Sequence, residues 1–182
     1  MLPWLHPRFA VLAAALGLVF AGRASAQPRR WRALASFACV PAASAIAWFG
    51  YYLLIYGRPD PSIAYGHYTQ MTIGRMPVGL TGLLVDQQYG LLTNAPVYGV
   101  AAIGLLPFLR RHTRLALEWL IIVVPYAMVT AMYFMWWGGL SSPARFIGAT
   151  LLLWSVPAAM AFAAVRQEGT RTVLAAVLAV SV

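Results

Sequence analysis

Residues 34–56 read Leu34-Ala-Ser-Phe-Ala-Cys-Val-Pro-Ala-Ala-Ser-Ala-Ile-Ala-Trp-Phe-Gly-Tyr-Tyr-Leu-Leu-Ile-Tyr56, 23 residues without a charge. At about 1.5 Å of rise per residue, a helix of this length crosses the roughly 30 Å hydrocarbon core of a bilayer. The rest of the chain is consistent with that reading. Hydrophobic residues make up 62% of the 182 and charged residues only 9%, with a mean hydropathy of +0.73. A soluble domain carries about 25% charged residues. With so few charges the chain has too little polar surface to cover a core in water, so lipid is the expected solvent for much of it.

Apolar runs lie near 9–22, 34–56, 96–109, 115–137, 146–165 and 172–182. They predict an all-α, polytopic transmembrane protein forming one membrane domain over 1–182, with five spanning helices and a truncated sixth. The runs at 9–22 and 96–109 are short, so they must tilt little, extend into their flanks or lie against protein. The final run, Val173 to Val182, has ten residues, half of a span. Residues 1–8 read as the end of a preceding extracytoplasmic segment. Both ends lead to the expectation that this is a fragment of a longer protein.

The net charge is +9, from 13 arginines, no lysine and four acidic residues. In a soluble protein this balance would suggest nucleic acid, but here the arginines fall between apolar runs and form no stripe, so nucleic-acid binding is not expected. They sort by the positive-inside rule. With the N-terminus outside, the inner loops hold nine (Arg23, Arg29, Arg30, Arg32, Arg110, Arg111, Arg114, Arg166 and Arg171). The outer segments hold four: Arg8, Arg58, Arg75 and Arg145. This predicts an extracytoplasmic N-terminus and outer loops at 57–95 and 138–145. A rival reading takes residues 1–26 as a signal peptide ending in Ala24-Ser25-Ala26. It would put the Arg110–Arg114 cluster outside, against the rule.

Small residues recur at four-residue spacing at Ala38 and Ala42 and at Ala43 and Ala47, a pattern that lets helices approach closely in lipid. Pro125 is expected to kink its helix. Tyr51, Tyr52 and Tyr56, and Tyr133, Trp136 and Trp137, look like interfacial belts. Cys39 has no intramolecular partner and reads as a small packing residue.

The long outer loop holds Met76-Pro-Val-Gly-Leu-Thr-Gly-Leu-Leu-Val85, too short to span and suited to a re-entrant or interfacial helix, with Pro77 near its first turn. Asp86-Gln87-Gln88-Tyr89 follows. Asp86 has two readings: contact with a polar substrate or cation, or capping of a turn. Asp60, between two prolines, reads as a turn residue, and His67 as a loop histidine without metal partners. In the second loop Gly138 and Gly139 permit a tight turn beside Trp136 and Trp137. Arg145 could hold a phosphate by bidentate hydrogen bonds, or snorkel to lipid headgroups. Glu118 is accounted for by an i, i+4 pair with Arg114. There is no P-loop, dinucleotide-binding glycine motif, metal-ligand cluster or nucleophile elbow. No catalytic or metal-binding residue is assigned, and no cofactor is predicted.

The segments Leu2-Pro-Trp-Leu-His-Pro-Arg-Phe9, Gly82-Leu-Leu-Val-Asp-Gln-Gln-Tyr-Gly-Leu-Leu92 with Ala95-Pro96, Trp136-Trp-Gly-Gly139 and Pro143-Ala-Arg-Phe146 together resemble the later membrane helices of bacterial GT-C-type glycosyltransferases, polytopic enzymes related to the protein mannosyltransferases. The resemblance covers most of the chain, in the same order. It implies transfer of a sugar from a polyprenyl-phosphate carrier on the outer face of the bacterial inner membrane, with membrane lipid and the polyprenyl-phosphate-linked sugar as partners. It also implies a general base on an acidic residue in a first outer loop, and no residue here matches that loop. Arg145 and Arg75 would then stabilise the phosphate. Trp136, Trp137 and Tyr89 would stack on sugar or hold the prenyl chain, and Asp86 and Gln87 would hydrogen-bond sugar hydroxyls. The alternatives are a transporter or flippase component, for which no internal repeat is visible, and a membrane subunit without chemistry.

Overall fold

The computed structural model describes residues 6, 8–65, 71–139, 142–143, 145–165 and 167–181. His67 and Arg166 lie outside them, as does most of the segment 2–9. Among the described residues the structure is helical, with no strand beyond an isolated bridge between Met71 and Tyr133. Three helical stretches are long and apolar enough to cross a membrane: Arg30–Tyr56, Thr113–Met132 and Arg145–Ala164. The chain divides into two compact units, residues 1–70 and 71–182.

The first unit is a helical hairpin. Helix α1 (Phe9–Ala24) and helix α2 (Arg30–Tyr56) are joined by a tight turn in which Gln27 N–H donates to Ala24 O and Arg30 N–H to Gln27 O. Phe20 and Phe37 stack across the pair at 3.9 Å. Helix α2 starts four residues before its apolar run. Apolarity marks what sits in hydrocarbon, whereas arginine and tryptophan extend a helix readily beyond it. It runs through Pro41 and stops at Gly57, which takes φ +70° and donates its N–H to Leu53 O. That left-handed closure suits glycine. Asp60 is the expected turn residue, its Oδ1 accepting Ser62 N–H at 2.8 Å. Nothing in α2 is buried. Ala38, Ala42, Ala43 and Ala47 are exposed, and α1 does not cover their small-residue face. Ile46 and Leu54 are 74% and 88% exposed. A continuous apolar surface of this kind calls for lipid or protein against it.

In the second unit a 3-10 turn, Ile73–Arg75, leads into α3 (Met76–Val85), α4 (Leu91–Asn94), α5 (Val97–Arg111) and α6 (Thr113–Met132). A 3-10 turn, Arg145–Ile147, then opens α7 (Gly148–Ala164), and α8 (Glu168–Val180) follows. Pro77 lies in the first turn of α3, where a missing N–H breaks no helix bond. Helices α5 and α7 are in intimate contact, since a β-carbon on Gly104 would overlap the Pro157 carbonyl. Trp119 Nε1–H donates to Leu153 O at 2.8 Å, tying α6 to α7 inside a cluster of Phe108, Ala116, Trp119 and Val123. Leu174 of α8 packs with Val100 and Ala161, and Ser181 Oγ accepts Val97 N–H at 2.9 Å. Arg114 and Glu118 form the expected pair, Nε to Oε1 at 3.4 Å.

Helix α6 runs through Pro125 but ends at Met132, five residues before its apolar run does. At that end Thr72 N–H donates to Met132 O at 3.0 Å, so the helix's last carbonyl is satisfied by a residue distant in the chain. Met71 bridges Tyr133, and residues 134–137 fold as turns.

Candidate functional site

The C-terminal end of α6 is where the second unit gathers the turn after Met132 and the segments that carry Arg75 and Arg145. Helix α3 lies directly on it. A β-carbon on Gly79 would overlap the Ala131 carbonyl, and one on Gly82 would overlap the Trp136 indole. In lipid, such close approach is a main source of helix association. Beside this contact Leu83, Leu91, Ala131 and Ile147 form a buried cluster, with Leu80, Tyr98, Trp136 and Leu151 packed around it.

That cluster positions the loop from Asp86 to Gly90, because Leu83 before it and Leu91 after it are both buried there. The loop is closed by its own polar groups. Asp86 Oδ1 accepts Gln88 N–H at 2.9 Å and Tyr89 N–H at 2.8 Å. Asp86 O accepts Gly90 N–H at 2.9 Å and the Thr93 hydroxyl at 2.6 Å. Asn94 Nδ2 donates to Gly90 O at 2.8 Å. Gly90 has no room for a β-carbon, which would collide with Asp86 backbone. The turn-capping reading of Asp86 is thus realised. Its second oxygen, Oδ2, and the exposed Gln87 amide take no hydrogen bond among the described residues.

Two arginine-bearing segments meet the same end of α6. Arg75 is the exposed last residue of its 3-10 turn, held by the Thr72–Met132 bond, and it precedes Met76, which packs on the cluster. Arg145 is the exposed first residue of the other 3-10 turn, two positions before buried Ile147. Tyr126 Oη donates to Phe146 O at 2.9 Å, and the Tyr133 and Phe146 rings meet edge to face at 5.9 Å. Neither guanidinium meets a carboxylate among the described residues. Trp136 and Trp137 cross at 5.6 Å and 84°, and both are half-buried. The expected tight turn follows, with φ +86° at Gly138 and +72° at Gly139.

The structure therefore brings the elements carrying Arg75, Asp86, Gln87, Tyr89, Trp136, Trp137 and Arg145 to one apolar cluster. Among the seven, direct bonding or ring contact is limited to the Asp86 carboxylate with the Tyr89 amide and to the two indoles. The contact face of α3 is made by Gly79 and Gly82. Their three-residue spacing on a short helix is the signal that identifies them as a contact face. Among the described residues no three His, Cys, Asp or Glu side chains come together as metal ligands would. The groups present suit hydrogen bonding to hydroxyls, stacking and anion binding.

Comparison of the chain with known protein families, with characterised proteins and with solved structures returns no match.

Proposed function

We propose that this chain is the supporting part of a polytopic membrane glycosyltransferase that takes its sugar from a polyprenyl-phosphate carrier. In this reading the six apolar runs cross or enter the membrane, α3 is a re-entrant or interfacial helix, and the end of α6 that bears Trp136 faces outward from the inner membrane. The observation that carries it is the convergence of an acidic, amide-bearing loop, two indoles and two exposed arginines on one apolar cluster.

A polyprenyl-phosphate sugar has three parts, and each finds chemistry here. The prenyl chain needs an apolar face, the phosphate needs cationic hydrogen-bond donors, and the sugar needs acceptors and a stacking surface. In transfer, the acceptor hydroxyl oxygen attacks the sugar's C1 as its proton passes to a base outside these residues, while the C1–O bond to phosphate breaks and polyprenyl phosphate departs. Arg145, with Arg75, would stabilise the charge growing on that phosphate. Asp86 Oδ2 and Gln87 would hold sugar hydroxyls, and Trp136, Trp137 and Tyr89 the sugar face or the first isoprene units. The reading assigns no general base to these residues.

The test is photo-crosslinking of the purified chain in lipid nanodiscs with a benzophenone-bearing polyprenyl phosphate. Adducts within 72–92 or 133–147, competed by unlabelled polyprenyl phosphate, are expected. Adducts spread evenly over α2, α5 and α7 would overturn the reading.

A further inference from the structure

The turn between α1 and α2 carries a feature that sugar transfer leaves unused. Ser25, Gln27, Pro28 and residues 29–32 line an open groove of about 590 Å³. Arg29, Arg30 and Arg32 bring three guanidiniums to it, and all three side chains are exposed. Trp31 is 72% exposed, and the Arg30 guanidinium carbon lies 5.4 Å from its ring centroid, a cation–π arrangement. Within residues 1–70 the sole carboxylate side chain is Asp60, beyond the opposite end of α2. The hairpin thus does not neutralise its own groove.

Helix length places the groove relative to lipid. The 27 residues of α2 extend about 40 Å, some 10 Å more than the hydrocarbon core. Its charged first turn therefore reaches the headgroup layer when its apolar part is in hydrocarbon. Arginine and tryptophan are the side chains that settle there. Further along the two helices Phe37 and Val40 of α2 and Leu18 of α1 are exposed, apolar surface that acyl chains can cover.

We infer that this groove binds the phosphodiester headgroup of an anionic phospholipid. Guanidinium forks match the two non-bridging oxygens of a phosphodiester and hold them bidentately. A zwitterionic headgroup brings its own ammonium to a site that already holds three cations, so the groove selects against it. The flanking apolar surface and the exposed indole favour a lipid over a free anion, which would gain nothing from either. The inference stands apart from glycosyl transfer, which concerns the other unit.

The experiment is native mass spectrometry of the full chain released from micelles containing equimolar phosphatidylglycerol and phosphatidylcholine. Wild type should retain phosphatidylglycerol with a preference of at least about tenfold, the scale set by arginines near an anionic surface. Arg29→Gln/Arg30→Gln/Arg32→Gln should lose that preference, while Arg110→Gln/Arg111→Gln/Arg114→Gln keeps it. Equal retention of the two lipids by wild type overturns the inference whatever the variants do. So does an equal loss in both triple variants, which would indicate general charge attraction. Displacement of phosphatidylglycerol by millimolar inorganic phosphate would also overturn it, by assigning the groove to a free anion.

Discussion

The Trp136 indole lies so close against Gly82 that a β-carbon at position 82 would overlap its ring. One contact thereby joins α3 to the aromatic turn after α6 and fixes the wall of the candidate site. Gly82→Leu is expected to expel the indole and loosen that wall. Overpacking of this kind costs about 1–3 kcal/mol. Thermal unfolding in detergent, together with a red-shifted tryptophan emission, checks it. Unchanged stability and emission would mean that the contact is not made.

The same reasoning separates two other glycines. Gly104 meets the Pro157 carbonyl, whereas Gly17 of α1 has nothing within 4 Å of a β-carbon. Gly104→Ala should force α5 and α7 apart and lower stability by about 1–3 kcal/mol. Gly17→Ala should be neutral or stabilising by up to about 1 kcal/mol, because alanine is the better helix former. Melting curves of the two variants side by side are the measurement.

Asp86 holds its loop with one carboxylate oxygen on two backbone amides. Asparagine retains an acceptor there and alanine does not. Asp86→Ala should therefore cost about 1–2 kcal/mol, the usual scale for losing a capping acceptor, and open the 86–94 loop to proteolysis. Asp86→Asn should keep the loop closed. If Oδ2 also contacts sugar, both variants should weaken donor binding, and limited proteolysis separates the two effects.

Arg145 and Arg171 differ by position rather than by chemistry. Arg145 opens the turn next to buried Ile147, whereas Arg171 is exposed near the start of α8. On the proposed reading, Arg145→Ala should depress sugar transfer by about 10²-fold, the usual effect of removing one donor to a developing anion. Arg171→Ala should leave it nearly unchanged. Equal rates for the two variants, measured with labelled polyprenyl-phosphate sugar in an active preparation, would remove the phosphate role from Arg145.

Much of the helical content was legible because long uncharged apolar runs are a strong compositional signal. The runs near 34–56, 115–137 and 146–165 hold the three helices long and apolar enough to cross a membrane. Local chemistry was legible too: the Arg114–Glu118 pair, the turn roles of Asp60 and Asp86, and the left-handed Gly138-Gly139 turn all act over a few residues. What escaped was non-local. Helix α6 stops at Met132, and its last carbonyl pairs with Thr72, 60 positions away in the chain. Apolarity continues to Trp137 and conceals that stop. The second unit's tight helix contacts fall at Gly79, Gly82 and Gly104, and a small residue allows close approach but does not choose the partner. The site residues could be named one by one from their chemistry. Their gathering on the Leu83–Leu91–Ala131–Ile147 cluster required the fold.

The central claim is a membrane protein whose Asp86 and Trp136 loops share one face while the α5–α6 turn lies on the other. Substituted-cysteine labelling in whole cells tests it most directly, in a Cys39→Ala background that removes the sole native thiol. Gln87→Cys and Ser142→Cys should react with a membrane-impermeant maleimide in intact cells. His112→Cys and Gln167→Cys should react only after permeabilisation. Labelling of positions 87 and 112 from the same side of the membrane would contradict the account.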